Sequence, residues 1–461
     1  RHWLAAGPRH APDAWPAAVA AAQRAAAVYA WDEASDLLAA ALAAQDDDPA
    51  VTPADRYPVL MSRAAACRQL GDLDGLDAAQ VAAVAAAPDT ASEARAAIAA
   101  VDGAVWHPRA HGTVHPTLPG TLRGVLRRLP PADSELRCQV MLALALELHF
   151  ADAPREREAL IEQGLAMARR LGDPALLAWG ATVAWLAMWR PATAEQRREL
   201  AAEALDAAGR TGDALREVTA RTLVAFAAQE VGRIAEMDEA IVRARADAER
   251  YRLVAPLVAL GWLEIPWLAM RGHFEEAGRL YATTVELMSR TSMPQAAESA
   301  AGTAMTLQLM RGVGHAEMAA QLREMRPYSR LPLDSSIVML LLRAGHVEEA
   351  RAWYREHGMA LDGDDWYSVL NLCQAAEASA GLGDRDLAAH VYHRLSPCAG
   401  RPNSAGGAVA QAPVDAYLAL AAAAAGEDEV ARGHAEAALE QCAAWGIPLV
   451  ADWIRSRVTD R

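Results

Sequence analysis

The sequence predicts an all-α protein: a right-handed α-solenoid of tetratricopeptide-like (TPR-like) helix pairs with a period of about 40 residues. Three observations carry this. First, a glycine returns at positions 232, 272, 312, 345, 383 and 426, in steps of 40, 40, 33, 38 and 43 residues. Each closes one Ala/Leu-rich segment and opens another, and the openings read alike: Gly272-His-Phe-Glu-Glu-Ala, Gly345-His-Val-Glu-Glu-Ala and Gly383-Asp-Arg-Asp-Leu-Ala. Recurrence in this range marks helix pairs that bury their apolar faces only against neighbouring pairs. Second, 53% of the residues are hydrophobic, and many of these are alanine, the strongest helix former. Third, alternating runs of Val, Ile or Thr that would announce strands are missing.

The elements follow in order. Residues 1–14, with Pro8 and Pro12, form an opening segment, and helices over 15–29 and 32–45 form the first pair. Asp46-Asp-Asp-Pro49 and Thr52-Pro53 make the next loop. A second pair covers 54–87 and turns at Gly71-Asp72, and a helix covers 90–101. Residues 105–119 read Trp106-His-Pro-Arg-Ala-His-Gly-Thr-Val-His-Pro within a proline-rich stretch, which disfavours helix. The periodicity resumes at 118, with Gly172-Asp173-Pro174 and Gly212-Asp213 again 40 apart. Glycine suits the left-handed residue that ends a helix, and Asp or Pro just after it starts the next. Residues 397–413, rich in Gly, Ala and Ser, are expected to be the last loop, before a final pair over 414–458. The chain therefore divides into N-terminal helix pairs (1–104), a Pro/His-rich loop or seam (105–119) and a C-terminal superhelix (120–461).

Composition narrows the function. The net charge is −15, which repels phosphate backbones, so direct nucleic-acid binding by this segment is not expected. All 44 basic residues are arginine, which removes P-loop, Schiff-base and kinase-type lysine chemistry. Five scattered cysteines without a CxxC pair fit reduced thiols in a cytoplasm. No apolar run is long enough to span a membrane, and no signal peptide is visible. The chain opens on Arg1, and is expected to be a piece of something longer.

Candidate binding residues cluster in the middle. Trp179, Trp185, Trp189, Trp262 and Trp267 fall in the first helices of two nearby repeats. Trp185 and Trp189 are i and i+4 and share a face, while Pro266 beside Trp267 should bend or end its helix. First helices of such pairs line the concave surface, where large rings either form a ligand or peptide groove or fill gaps left by alanine. Glu264 lies between two of the rings, and Arg221 stands i+4 from Glu217 as a helix ion pair. His107, His111 and His115 are spaced four apart, but Pro108, Pro116 and Gly112 follow them. This is loop, so the spacing does not make them converge on a metal, and a polar surface loop is expected. There is no GxSxG, HExxH, paired-carboxylate motif or glycine-rich phosphate cradle. No catalytic residue, cofactor or metal is expected.

Several stretches resemble a known family in their order along the chain. They are His2-Trp-Leu-Ala-Ala-Gly-Pro, Val28-Tyr-Ala-Trp-Asp-Glu-Ala, Met167-Ala-Arg-Arg-Leu-Gly-Asp-Pro-Ala-Leu-Leu-Ala, Tyr392-His-Arg-Leu-Ser-Pro-Cys-Ala-Gly-Arg and Gly433-His-Ala-Glu-Ala-Ala-Leu-Glu. Together they resemble the tetratricopeptide-like region of large ATP-binding bacterial transcription regulators, of the LuxR type with an ATPase module and the Streptomyces antibiotic regulatory protein type. The resemblance implies a non-catalytic sensor, with a small-molecule or protein effector on its concave face. It implies as partners the ATPase and DNA-binding domains of the full-length protein. A stand-alone docking scaffold, and an α-solenoid enzyme with a Trp-lined pocket, remain the alternatives.

Overall fold

The computed structural model describes residues 7–459 apart from 103 and 292. Most of the segment 2–8 quoted above lies outside the described residues. Within them the chain is an all-α solenoid of 23 α-helices, with a single two-stranded sheet.

The N-terminal repeats are α1 (Ala11–Ala27), α2 (Trp31–Asp46), α3 (Pro53–Leu70), α4 (Leu73–Ala86) and the short α5 (Thr90–Ala97). After the Pro/His segment come α6 (Leu118–Arg128), α7 (Glu135–Glu147), α8 (Pro154–Leu171), α9 (Pro174–Ala187), α10 (Ala194–Gly209) and α11 (Ala214–Glu230). They continue with α12 (Ile234–Arg250), α13 (Val254–Met270), α14 (Phe274–Met288), α15 (Ala296–Arg311), α16 (His315–Met325) and α17 (Asp334–Arg343). The last part holds α18 (Val347–His357), α19 (Ser368–Leu382), α20 (Arg385–Leu395), β1 (Pro402–Ala405), β2 (Val409–Pro413), α21 (Val414–Ala425), α22 (Asp428–Trp445) and α23 (Pro448–Ile454).

Two layers result. From α7 onward the odd-numbered helices stack on one another, with a break between α15 and α17, and the even-numbered helices pack outside them. The sequence of each layer explains this. In α12 the buried residues are Ile234, Met237, Ala240, Ile241, Ala244 and Ala248, one stripe at helical spacing. In α9 every residue from Ala178 to Ala187 is buried, so that helix is covered on all sides. Left-handed glycines end α3, α8, α15, α19 and α21 at Gly71, Gly172, Gly312, Gly383 and Gly426. Asp173, Asp213 and Asp384 then accept backbone N–H groups at the next helix start. Pro266 does not end its helix; α13 runs through it to Met270.

One expectation is corrected. Residues 397–413 do not form a plain loop: after a short 3-10 turn they contain β1 and β2, paired antiparallel. Gly406 and Gly407 have φ of +55° and +76°, and the Ala408 N–H donates to the Ala405 carbonyl at 3.1 Å. Two central residues with positive φ make the tight turn whose twist matches paired strands. All nine strand residues are buried. The hairpin packs against α11, α13, α15 and α19, which lie in four different repeats. A buried backbone needs every polar group satisfied, and strand pairing does this where a loop would not.

The hairpin also joins the core. Ala410 and Ala412 belong to the main apolar cluster, Ala405 and Val409 to that of α15–α19, and Ala408 to that of α13 and α14. Its base is pinned by Asp415, which accepts from the Gly400 N–H (2.6 Å), lies 2.8 Å from His434 Nδ1 and accepts from Gln441 Nε2 (2.9 Å).

A Cβ at Gly407 would lie 1.8 Å from Phe226 Cε1, whereas one at Gly172 meets nothing within 4 Å. Gly407→Ala should therefore lower stability by at least ~2 kcal/mol, and Gly172→Ala by about 1 kcal/mol, since only the first adds a clash to the left-handed cost. Urea-unfolding midpoints of the two variants against wild type check this ranking.

Candidate ligand-binding site

Beside the hairpin a small apolar chamber opens among α15, α16 and the start of α19. Met305, Leu322, Met325, Leu370, Trp366 and Val409 supply most of its wall. Methionine side chains are flexible and fit irregular guests. The polar groups are few: Gln295, Glu298, Ser299, Ser336 and Tyr367. Burial pushes the Tyr367 phenol up to about 12, with the Ser336 hydroxyl opposing the shift. It stays a neutral hydrogen-bonding group at ordinary pH. An apolar wall with a few hydroxyls suits a small ligand carrying one or two polar functions.

Local geometry sets the aromatic edge. The Asp365 Oδ1 accepts from the Tyr367 N–H at 2.8 Å, and the Asp365 N–H donates to Ser368 Oγ at 2.8 Å. These bonds shape the entry to α19 and fix Trp366 and Tyr367. His111 Nε2 lies 2.8 Å from Asp365 Oδ2, a contact spanning 254 residues of chain. Its ring meets Trp366 edge-on at 5.4 Å. The Pro/His segment thus reaches the C-terminal repeats.

That segment is loop as expected, but it is not a polar surface loop throughout. His107 is buried; its Nε2 lies 3.2 Å from the Leu146 carbonyl, and its Nδ1 accepts from the Arg109 N–H at 3.1 Å. His115 Nδ1 accepts from the Leu118 N–H at 3.0 Å, at the start of α6. The three histidines have separate partners, and no group of metal-ligand type was found among the described residues. Burial lowers His107 to about 4, against the charge of Glu147, and lowers His149 to about 3, reinforced by His107.

The sequence-selected tryptophans lie in the inner layer but do not line one open groove. Trp185 and Trp267 are wholly buried, and Trp189 and Trp262 are nearly so. Trp185 and Trp189 pack at 4.7 Å with Phe226 beside them, beneath the hairpin turn. Trp262 packs on Tyr281 of α14, and Trp267 Nε1 donates to Gln229 Oε1 at 2.8 Å. Trp179 faces a different cleft, shared with Arg68, Arg216 and Pro256. Arg221 bridges Glu217 and Asp247, and Glu264 is paired with Arg245. Of the two expected roles, an open groove or gap filling, the burial of these rings fits gap filling. The chamber residues Met305, Trp366 and Tyr367 were not selected from sequence. The Gly406-Gly407 pair was the available signal, since two adjacent glycines between buried runs mark a hairpin.

No protein-family model and no curated protein matches the chain. Among solved structures it is similar to a circular tandem repeat protein with novel repeat topology and enhanced subunit contact surfaces. That match covers 98% of this chain and 88% of the other, at 16% identity and a TM-score of 0.14. A likeness this slight carries no argument, and the architecture rests on the helices themselves. No helix among the described residues is long and apolar enough to cross a membrane.

The two buried imidazoles set a pH dependence. Unfolded, they titrate near the ordinary 6.5; folded, they stay neutral down to about 4 and about 3. Between those values the unfolded chain binds protons that the native chain does not, so stability falls as pH falls from 6.5. The steepest slope should approach ~2.7 kcal/mol per pH unit for two groups. Denaturant unfolding at about pH 7, 6, 5 and 4 should show this loss, and His107→Gln with His149→Gln should flatten it.

Proposed function

We propose that this chain is the non-catalytic sensing arm of a cytoplasmic, ATP-dependent transcription regulator of the LuxR or Streptomyces antibiotic regulatory type. A small effector seats in the apolar chamber and biases how the superhelix docks on the ATPase and DNA-binding parts. One observation carries this reading: the hairpin packs against helices of four repeats and also walls an apolar chamber lined by residues of several repeats. A guest there touches α15, α16, α19 and the hairpin together. Its binding energy is thereby coupled to their relative placement. An effector shifts such an equilibrium only by its difference in affinity for the two arrangements. The net charge of −15 supports a role in which other parts of the polypeptide grip DNA.

Met305→Trp fills the chamber with a residue of the same apolar character. Wild-type protein should bind the apolar dye Nile red saturably, and M305W should bind it at least ~10-fold more weakly, a loss of ~1.4 kcal/mol, with an unchanged melting temperature. In cells, deleting the chain should alter a defined set of transcripts that wild type restores and M305W does not. Transcripts restored equally by both would refute chamber-based sensing.

A further inference from the structure

A second small pocket lies where α10 and α11 meet the base of the hairpin. Its wall includes Trp189, Arg197, Glu230, Asp365, Trp366 and Arg401. Arg190 completes the charged lining.

The charges there do not balance. Arg190 lies 3.2 Å from Glu158 and 3.3 Å from Asp364. Asp365 is held by His111. Arg197 Nη2 lies 2.5 Å from Glu230 Oε2 and donates to the Arg190 carbonyl at 3.3 Å, while Glu230 Oε1 accepts from Trp189 Nε1 at 2.6 Å. Arg401 has no carboxylate within ion-pair distance; its Nη1 donates to the Pro191 carbonyl at 2.6 Å. One carboxylate, Glu230, thus pairs with Arg197, while Arg401 has none. Burial lowers the hold of Arg197 on its proton, and Arg401 adds to this as a like charge.

Arg197 is the more unusual of the two. Its side chain is 1% exposed, and its Nη1 has no hydrogen-bond partner. Its guanidinium lies over the Trp185 ring at 4.8 Å, which fixes its plane. A buried guanidinium edge left without an acceptor is costly, and a planar anion satisfies it with two parallel bonds. The neighbouring indoles of Trp189 and Trp366 offer apolar surface.

We propose that this pocket binds a small organic carboxylate, its oxygens bridging Arg197 and Arg401 and its apolar body resting on Trp189 and Trp366. Glu230 and Asp365 in the wall disfavour a phosphate dianion more than a singly charged carboxylate. The site shares Trp366 with the apolar chamber, but neither Arg197 nor Arg401 lines that chamber, and the inference goes beyond the sensing role, which does not depend on it.

Propionate and its uncharged counterpart propionamide serve as probes, observed by saturation-transfer NMR and isothermal titration calorimetry on the full chain. Propionate should bind saturably and propionamide should not. Arg401→Gln should weaken propionate binding about tenfold or more, and Arg401→Lys should retain most of it. Arg401 is only half-buried, so these variants keep the Arg197–Glu230 core intact. Met305→Trp should leave propionate binding unchanged, which separates this site from the chamber. No saturable binding, equal binding of the amide, or an unaffected R401Q would each overturn the assignment.

Discussion

The structure depends on satisfying the backbone of one hairpin in a place water does not reach. β1 and β2 pair with each other, the Val414 N–H donates to the Arg401 carbonyl at 2.8 Å, and Thr303 Oγ1 donates to the Ala408 carbonyl at 2.6 Å. With those groups paired, small side chains fill the channel and three apolar clusters meet. A repeat array without such an insert would leave its first helices half wet. Here they are covered on both sides, and their composition follows: α9 and α13 are apolar around almost the whole circumference.

Much of this was legible in the chain, and the limit has a physical cause. The glycine spacing is a local signal, and it located the pairs. Asp after Gly marked helix starts for the same reason. The hairpin was missed because its strands are short, built from Pro, Asn, Ser, Ala and Gln, and owe their state to burial rather than propensity. The contact of His111 with Asp365 joins residues with no shared periodicity, so no window of sequence announces it. Trp185 and Trp189 were correctly placed on one face, but what covers that face lies some two hundred residues later in the chain.

Arginine without lysine shapes the interior electrostatics. Arg343 grips Glu377 with two bonds of 2.6 and 2.8 Å, and both side chains are largely buried. Arg109 similarly forks onto Glu147 while reaching Asp77 at 2.7 Å, tying the Pro/His segment to α4 and α7. A planar fork suits such bidentate pairing and stacks on indoles, as Arg343 does over Trp453 at 5.1 Å. An ammonium group would give neither, so the composition is part of how charged residues sit inside this solenoid.

The position of the hairpin late in the chain bears on how the molecule assembles. Repeat arrays ordinarily grow by nearest-neighbour steps, each unit stable once the next arrives. Here the inner surface of α11 and α13 waits for a segment made more than a hundred residues afterwards. Until it emerges from the ribosome, that wall is an apolar trough open to other chains. Folding therefore becomes a collective event, closed by one late insertion, and the finished solenoid behaves as a single cooperative unit instead of a row of independent links.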